Sequence, residues 1–243
     1  VTSGVDYAPP DVLHGLAPHF RLNDEGFIYE EGSGGSDAHY EATIERPLPW
    51  RYQLRRRRPY PSTVVVPRVC VVCGLNPSTA TALDDDATIR RCISFAWAWG
   101  CHVYTMVNAY AWRDTKPANM WAARGRGREI VGGRNDAVIG RALLDVERSG
   151  GIALAAWGTH CEAARAARLV ELARIVGVQW QCLGLNAAGS PKHPLYVANG
   201  TPLVPWPRVV EGDVYVDLAE PSAASIVADF RSAFIDDEPG EDW

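Results

Sequence analysis

The 243-residue chain has no apolar run approaching the roughly 18 residues that a membrane-crossing helix needs. Its opening residues, Val1-Thr2-Ser3-Gly4-Val5-Asp6-Tyr7, lack the basic-then-apolar layout of a secretory leader, so a cytoplasmic location without a membrane partner is expected. Cysteine is scarce: six thiols are too few for a disulfide framework in a chain of this size, and reduced thiols are expected. Positive charge is in deficit as well. A formal net charge of −5 excludes a protein that coats nucleic acid through a uniformly basic surface, although a local basic face remains open. There is no internal repeat, and Gly32-Ser33-Gly34-Gly35-Ser36 is the one low-complexity patch.

What is present reads as one large domain with tails, expected as a monomer. Residues 1–50 read as an irregular extension wrapped on the core, because the Gly/Ser patch is linker chemistry and Pro47-Leu48-Pro49-Trp50 resists helix. The core is expected over 51–207, and 208–243 as a C-terminal extension with a helix and an acidic tail. Within the core, short β-branched runs alternate with stretches of helical period. Strands are expected at 64–75 (interrupted by Pro67), 102–108, 151–157 and 178–184. Helices are expected at 86–99, 134–149, 160–176 and 221–235. Such alternation predicts an α/β fold with a mainly parallel central sheet and helices on both faces. Asp84, Asp85 and Asp86 precede the first helix and are read first as N-terminal caps, with catalysis the less favoured alternative. Gly100 and Gly177 stand where C-terminal caps belong.

In such sheets ligands settle beyond the carboxyl ends of the strands, so the residues just after each strand carry the functional signal. The first strand runs into Gly74-Leu75-Asn76-Pro77-Ser78, and the second ends in Asn108. The third leads to Trp157-Gly158-Thr159-His160, and the fourth to Lys192-His193-Pro194-Leu195. Four strands therefore bring Asn, Asn, His and His to one rim. Arg51 and the run Arg55-Arg56-Arg57-Arg58 read equally as a solvated edge or as a phosphate-tracking face. Cys70 and Cys73 form a C-x-x-C, but inside a strand their side chains face opposite ways, and no metal is expected.

The rim set resembles the uracil-DNA glycosylase superfamily, whose Gly-x-Asn/Asp-Pro turn is matched by Gly74, Asn76 and Pro77. The base-reading Asn of that superfamily is matched by Asn108. Its Trp-Gly-Ser-His stretch looks like Trp157-Gly158-Thr159-His160, and its His-Pro loop is approached at His193-Pro194. A longer likeness is to a bacterial and phage family catalogued as domain of unknown function 1643, covering roughly 50–206 through Leu75–Ala80, Asp86–Cys92, Val107–Arg113, Asn135-Asp136, Ala155–Gly158 and Pro191–Tyr196. That second name carries no activity.

The glycosylase resemblance implies a three-layer sandwich of that superfamily's type and hydrolysis of the N-glycosidic bond of a flipped-out, damaged or 5-modified pyrimidine in single- or double-stranded DNA, with no cofactor. It implies that Asn76 positions the attacking water, where the most efficient uracil enzymes have Asp, and that His193 stabilises the departing pyrimidine. Asn108 would read the flipped base, within a pocket that includes Gly74, Leu75, Pro77, Ser78, Gly158 and His160. Strict uracil enzymes place a bulky Tyr after that Pro; Ser78 leaves room for a 5-substituent. Tyr110 or Trp112 would stack on the base. Arg90, Arg91, Arg113 and Lys192 would hold flanking phosphates, or are plain surface charges. Two other readings stay open: an N-glycosidase acting on a small nucleoside or nucleotide, and a module that binds a modified base without cleaving it.

Overall fold

A computed structural model describes residues 20–22, 28–34, 38–45, 50–80 and 84–207, the first three stretches through their backbone course. The strands are β1 (Phe20–Leu22), β2 (Ile28–Gly34), β3 (Ala38–Glu45), β4 (Trp50–Arg57), β5 (Val69–Gly74), β6 (Val103–Asn108), β7 (Ile152–Ala155), β8 (Trp180–Cys182) and β9 (Val204–Pro205). They form one mixed sheet in the order β1-β2-β3-β4-β6-β5-β7-β8-β9. The helices are α1 (Ala87–Ala98), α2 (Pro117–Gly125), α3 (Asn135–Ser149) and α4 (Ala163–Ile175), with a 3-10 turn at Pro194–Tyr196. The helix expected at 221–235 and the acidic tail lie outside the described residues.

The centre is a parallel unit of four strands, β6-β5-β7-β8. Every residue of β5, β6 and β7 is buried, as a sheet covered on both faces requires. The pleat divides β5 between two layers. Val69, Val71 and Cys73 pack with residues of α2, α3 and α4, whereas Cys70 and Val72 pack with Ile89, Cys92, Phe95 and Ala96 of α1. The two halves of the C-x-x-C thus lie on opposite faces.

The expectation of a mainly parallel sheet is corrected. Three strand pairs are parallel, but five are antiparallel: β1-β2, β2-β3, β3-β4, β4-β6 and β8-β9. The reason is connectivity. β4 precedes the first helical crossover and β9 follows the last, so neither is bound by the rule that makes βαβ neighbours parallel. Among the described residues before Trp50, where an irregular course was expected, β1, β2 and β3 continue the sheet as an antiparallel meander. Gly32, Ser33 and Gly34 belong to β2 and pair with Tyr40, His39 and Ala38. A helix not expected from the sequence, α2, follows β6.

The helix ends follow local chemistry. Asp86 accepts a hydrogen bond from the Ile89 backbone N–H at 2.9 Å, a cap worth about 1 kcal/mol. Gly100, just past α1, has φ 75°, a conformation that favours glycine. Asp85 does not cap; it pairs with Arg56, whose side chain is 3% exposed. Elsewhere in the arginine run, Arg55 meets Asp145 at 3.2 Å, and Arg58 lies over the Trp97 ring.

The crossover from β5 passes over one face through α1, and the crossover from β7 over the other through α4. Where adjacent parallel strands send their connections to opposite faces, their carboxyl ends leave a crevice. β5 and β7 are such a pair. β4 runs antiparallel, so its first residues arrive at this same rim.

Candidate functional site

A cavity of about 620 Å³ opens at the β5/β7 crevice. Its wall takes Gly74, Leu75, Asn76 and Ser78 from the turn after β5, Asn108 from the end of β6, and Trp157, Gly158, Thr159 and His160 from the turn after β7. Lys192, His193, Leu195 and Tyr196 come from the loop after β8. All four rim motifs of the sequence thus surround one hollow. Its volume falls within the ~300–1,000 Å³ typical of small-molecule sites.

Asn108 is the polar residue most committed to this space. It is 1% exposed, and its side-chain oxygen has no hydrogen-bond partner, an arrangement that costs roughly 1–3 kcal/mol. Its carboxamide lies so close to Gly74 that any side chain there would collide with it: a Cβ on Gly74 would stand 2.8 Å from Asn108 Oδ1. The backbone beneath it is held from behind. Asn135 Nδ2 donates to the Asn108 carbonyl at 2.9 Å and to the Ala109 carbonyl at 3.1 Å, while Arg165 Nε donates to Ala109 at 2.6 Å. Arg165 is in turn fixed by Asp136. Burial disfavours the Asp136 carboxylate, but Arg165 and Arg168 outweigh it and hold the group below the usual carboxylate range.

Asn76 is oriented by its own loop. Its Nδ2 donates to the carbonyls of Asp114 at 2.8 Å, Pro77 at 3.1 Å and Trp112 at 3.4 Å. With the amide nitrogen thus engaged, its oxygen is the atom suited to accept from a ligand or water. His193 accepts from the Leu195 N–H through Nδ1 at 3.3 Å, so in the neutral ring the proton sits on Nε2. Burial lowers the His193 pKa, with Asp86 opposing, and the ring is a neutral donor at pH 7.

Three charged residues outside the four rim motifs also line the wall: Arg51, Asp86 and Asp114. Asp86 lines the cavity as well as capping α1. Arg51 enters from the start of β4; it is 2% exposed and donates to the Ala80 carbonyl. The sequence offered it only together with the run 55–58, as a solvated edge or a phosphate-tracking face. Tyr196 also lines the wall, and at 87% exposed it stands with Leu195 as an apolar lip.

Other expected site residues lie elsewhere. Tyr110 is 1% exposed, contacts the Trp121 ring edge-on and hydrogen-bonds Glu162; it lines a separate cleft with Arg124, Arg128, Arg165 and Arg168. Pro77 is buried behind the wall. Arg113 donates to the carbonyls of Ser78, Thr79 and Ala80, and so shapes the turn after β5. Arg91 reaches Asn199 and the Val197 carbonyl and lies over Phe95, tying the post-β8 loop to α1. Arg90 donates to the Asp85 carbonyl. Of the four cations expected at phosphates, Lys192 alone is on the cavity wall.

Among the described residues no group of His, Cys, Asp and Glu is arranged to hold a metal ion, and no helix is long and apolar enough to cross a membrane. No curated protein and no solved structure matches the chain. A family model does match, over residues 51–195, a span that starts with buried Arg51 and takes in the turn after β5, Asn108, the Asn135-Asp136 brace and His193. The chain belongs to the family described as "Protein of unknown function (DUF1643)".

Proposed function

We propose that the protein is a hydrolase of N-glycosyl bonds, acting on a pyrimidine nucleotide whose base enters the cavity, with a fold related to the uracil-DNA glycosylases. The observation that carries this reading is Asn108: a buried carboxamide with an unpartnered oxygen, on the wall of a cavity it shares with Asn76 and His193. A carboxamide matches the Watson–Crick edge of a pyrimidine, which offers donors and acceptors side by side.

The chemistry follows from the groups around it. Water adds to the sugar C1′, the C1′–N1 bond breaks, and its electron pair leaves with the pyrimidine. The Nε2–H of neutral His193 donates to the pyrimidine oxygen on which negative charge grows. The Asn76 oxygen accepts from the water and aims it. An amide cannot take the proton that the water sheds; of the two carboxylates on the wall, Asp114 accepts through Oδ1 from the Lys116 N–H and Asn119 Nδ2, and Asp86 is assigned the role of proton acceptor. Ser78 leaves space beside the ring, which favours a damaged or 5-substituted pyrimidine. Leu195 and Tyr196, an exposed apolar pair at the lip, suit a DNA substrate whose base is flipped, because apolar wedges fill the gap a flipped base leaves.

Oligonucleotides carrying uracil, thymine, 5-methylcytosine or 5-hydroxymethylated pyrimidines, incubated with the protein and scored for alkali-labile abasic sites, test the reading. Cleavage confined to plain uracil would remove the roomy-pocket argument, and salt-sensitive binding without base release would leave a modified-base-binding module. A single observation favours the small-substrate reading: a buried arginine inside the cavity, where a phosphate on a free nucleotide would reach.

A further inference from the structure

We infer that Arg51 is an oxyanion subsite inside the cavity, and that it holds the phosphate of the nucleotide unit whose base faces Asn108. The class of ligand rests on the function proposed above; the oxyanion site does not.

Arg51 is 2% exposed and lines the cavity wall with Asp86 and Thr88. A guanidinium carries five N–H donors, and the hydrogen bond its side chain makes goes to the Ala80 carbonyl. Among the described residues, no carboxylate stands within ion-pair distance. The contrast within the same strand is instructive, because Arg56, equally buried at 3% exposed, is paired with Asp85 at 2.8 Å. Leaving a buried cation without a counter-charge is costly, and an arginine with no structural ion pair on a cavity wall is relieved by an anion entering that cavity.

The surrounding charges sharpen the case. Asp86 is near enough to favour the charged form of Arg51, yet one of its oxygens is engaged by the Ile89 N–H. Arg113 opposes it as a second cation on the same side. Burial is the largest influence and lowers the Arg51 pKa to about 10, so the group remains a cation at neutral pH. Arginine's planar fork suits the paired oxygens of a phosphate or carboxylate. The size of the hollow agrees: about 620 Å³ exceeds what a bare pyrimidine ring fills, leaving space for a sugar and its phosphate.

The test compares deoxyuridine with its 5′- and 3′-monophosphates, and uses inorganic phosphate as the bare oxyanion. For the wild-type protein, at least one monophosphate should bind about tenfold or more tightly than the nucleoside, as expected of a charge-assisted bidentate contact. Inorganic phosphate should shift the Arg51 Nε–Hε resonance in a 1H–15N spectrum, and this measurement needs no variant that must fold. Arg51→Gln should bind nucleoside and monophosphates alike, and Arg51→Lys should retain part of the preference. Phosphate that shifts Arg51 while none of the pyrimidine compounds binds would keep the oxyanion site and refute the base-reading function. An unshifted Arg51 resonance, equal binding of nucleoside and both monophosphates by wild type, or a phosphate preference that survives Arg51→Gln would overturn the inference.

Discussion

Replacing Gly74 by alanine tests the link between packing and the proposed site with the smallest change of atoms. The added Cβ would stand 2.5 Å from Met106 Cε and 2.8 Å from Asn108 Oδ1. Ordinary contact begins near 3.4 Å, so both neighbours must retreat. The end of a methionine is flexible and swings aside at modest cost. The Asn108 carboxamide has less freedom, because its backbone carbonyl is pinned by Asn135 and the next carbonyl by Arg165. Overpacking of this kind costs about 1–3 kcal/mol. At roughly 2–4 °C per kcal/mol for a domain of this size, the melting temperature should fall by about 2–12 °C. The functional loss should exceed the loss of stability: a displacement approaching 1 Å at a positioning group costs up to about a hundredfold, so base release should fall by tenfold or more. Differential scanning calorimetry gives the first quantity, and initial rates at a temperature where the variant remains fully folded give the second. A Gly74→Ala protein that melts and reacts like the wild type would refute the claim that this glycine is required by the approach of Asn108.

Other outcomes follow from the same geometry. Asp86→Asn keeps a good N-cap while removing the charge, so thermal stability should change by under about 1 kcal/mol whereas base release should fall at least tenfold; parallel losses would assign Asp86 a capping role alone. Burial lowers the His193 pKa below the ordinary histidine value near 6.5, so the ring stays neutral through pH 7 and gains a proton only as pH falls through the lowered value. The same shift makes folding stability that is full above pH 6.5 and declines as the pH drops further. Thermal stability followed against pH should therefore decline below 6.5, and His193→Gln should flatten that decline; an unchanged pH dependence in the variant would contradict the shift. Ser78→Tyr should narrow the cavity, suppressing release of 5-substituted pyrimidines relative to uracil by about tenfold or more; an unchanged ratio, read by chromatography of the freed bases, would show that Ser78 does not face the 5-position.

The rim was legible in the sequence because its residues directly follow strands that are buried on both faces. Val69–Gly74 and Val103–Asn108 are short, largely apolar β-branched runs, and the residues where they end fall where such sheets bind ligands. α1, α3 and α4 were legible through their periodicity and, for α1 and α4, the caps at Asp86, Gly100 and Gly177. The antiparallel additions were not. β4 reads Trp-Arg-Tyr-Gln-Leu-Arg-Arg-Arg, and its charges resemble a solvated edge until Asp85 and Asp145, distant in sequence, are seen to neutralise two of them. Arg51 was grouped with that run, as edge or phosphate face, and nothing in the sequence separates it as the member that enters the cavity. β2 was obscured by glycine, serine and glutamate, which are poor strand formers. Tyr110 was placed at the site through its nearness to Asn108 in the chain. The ladder ends at Asn108, however, and the bend that follows turns the ring into the layer of α2 and α4.

The account depends on a pyrimidine losing its bond to the sugar while its edge is held by Asn108. The most direct measurement is incubation of 5-hydroxymethylated pyrimidine DNA with the protein in water enriched in oxygen-18, with free base and sugar product followed by mass spectrometry. The account predicts release of intact base, the heavy oxygen on the sugar C1′ rather than on the base, and loss of both signals in Asn108→Ala. Absence of base release from every pyrimidine substrate, or release that Asn108→Ala leaves unchanged, would contradict it.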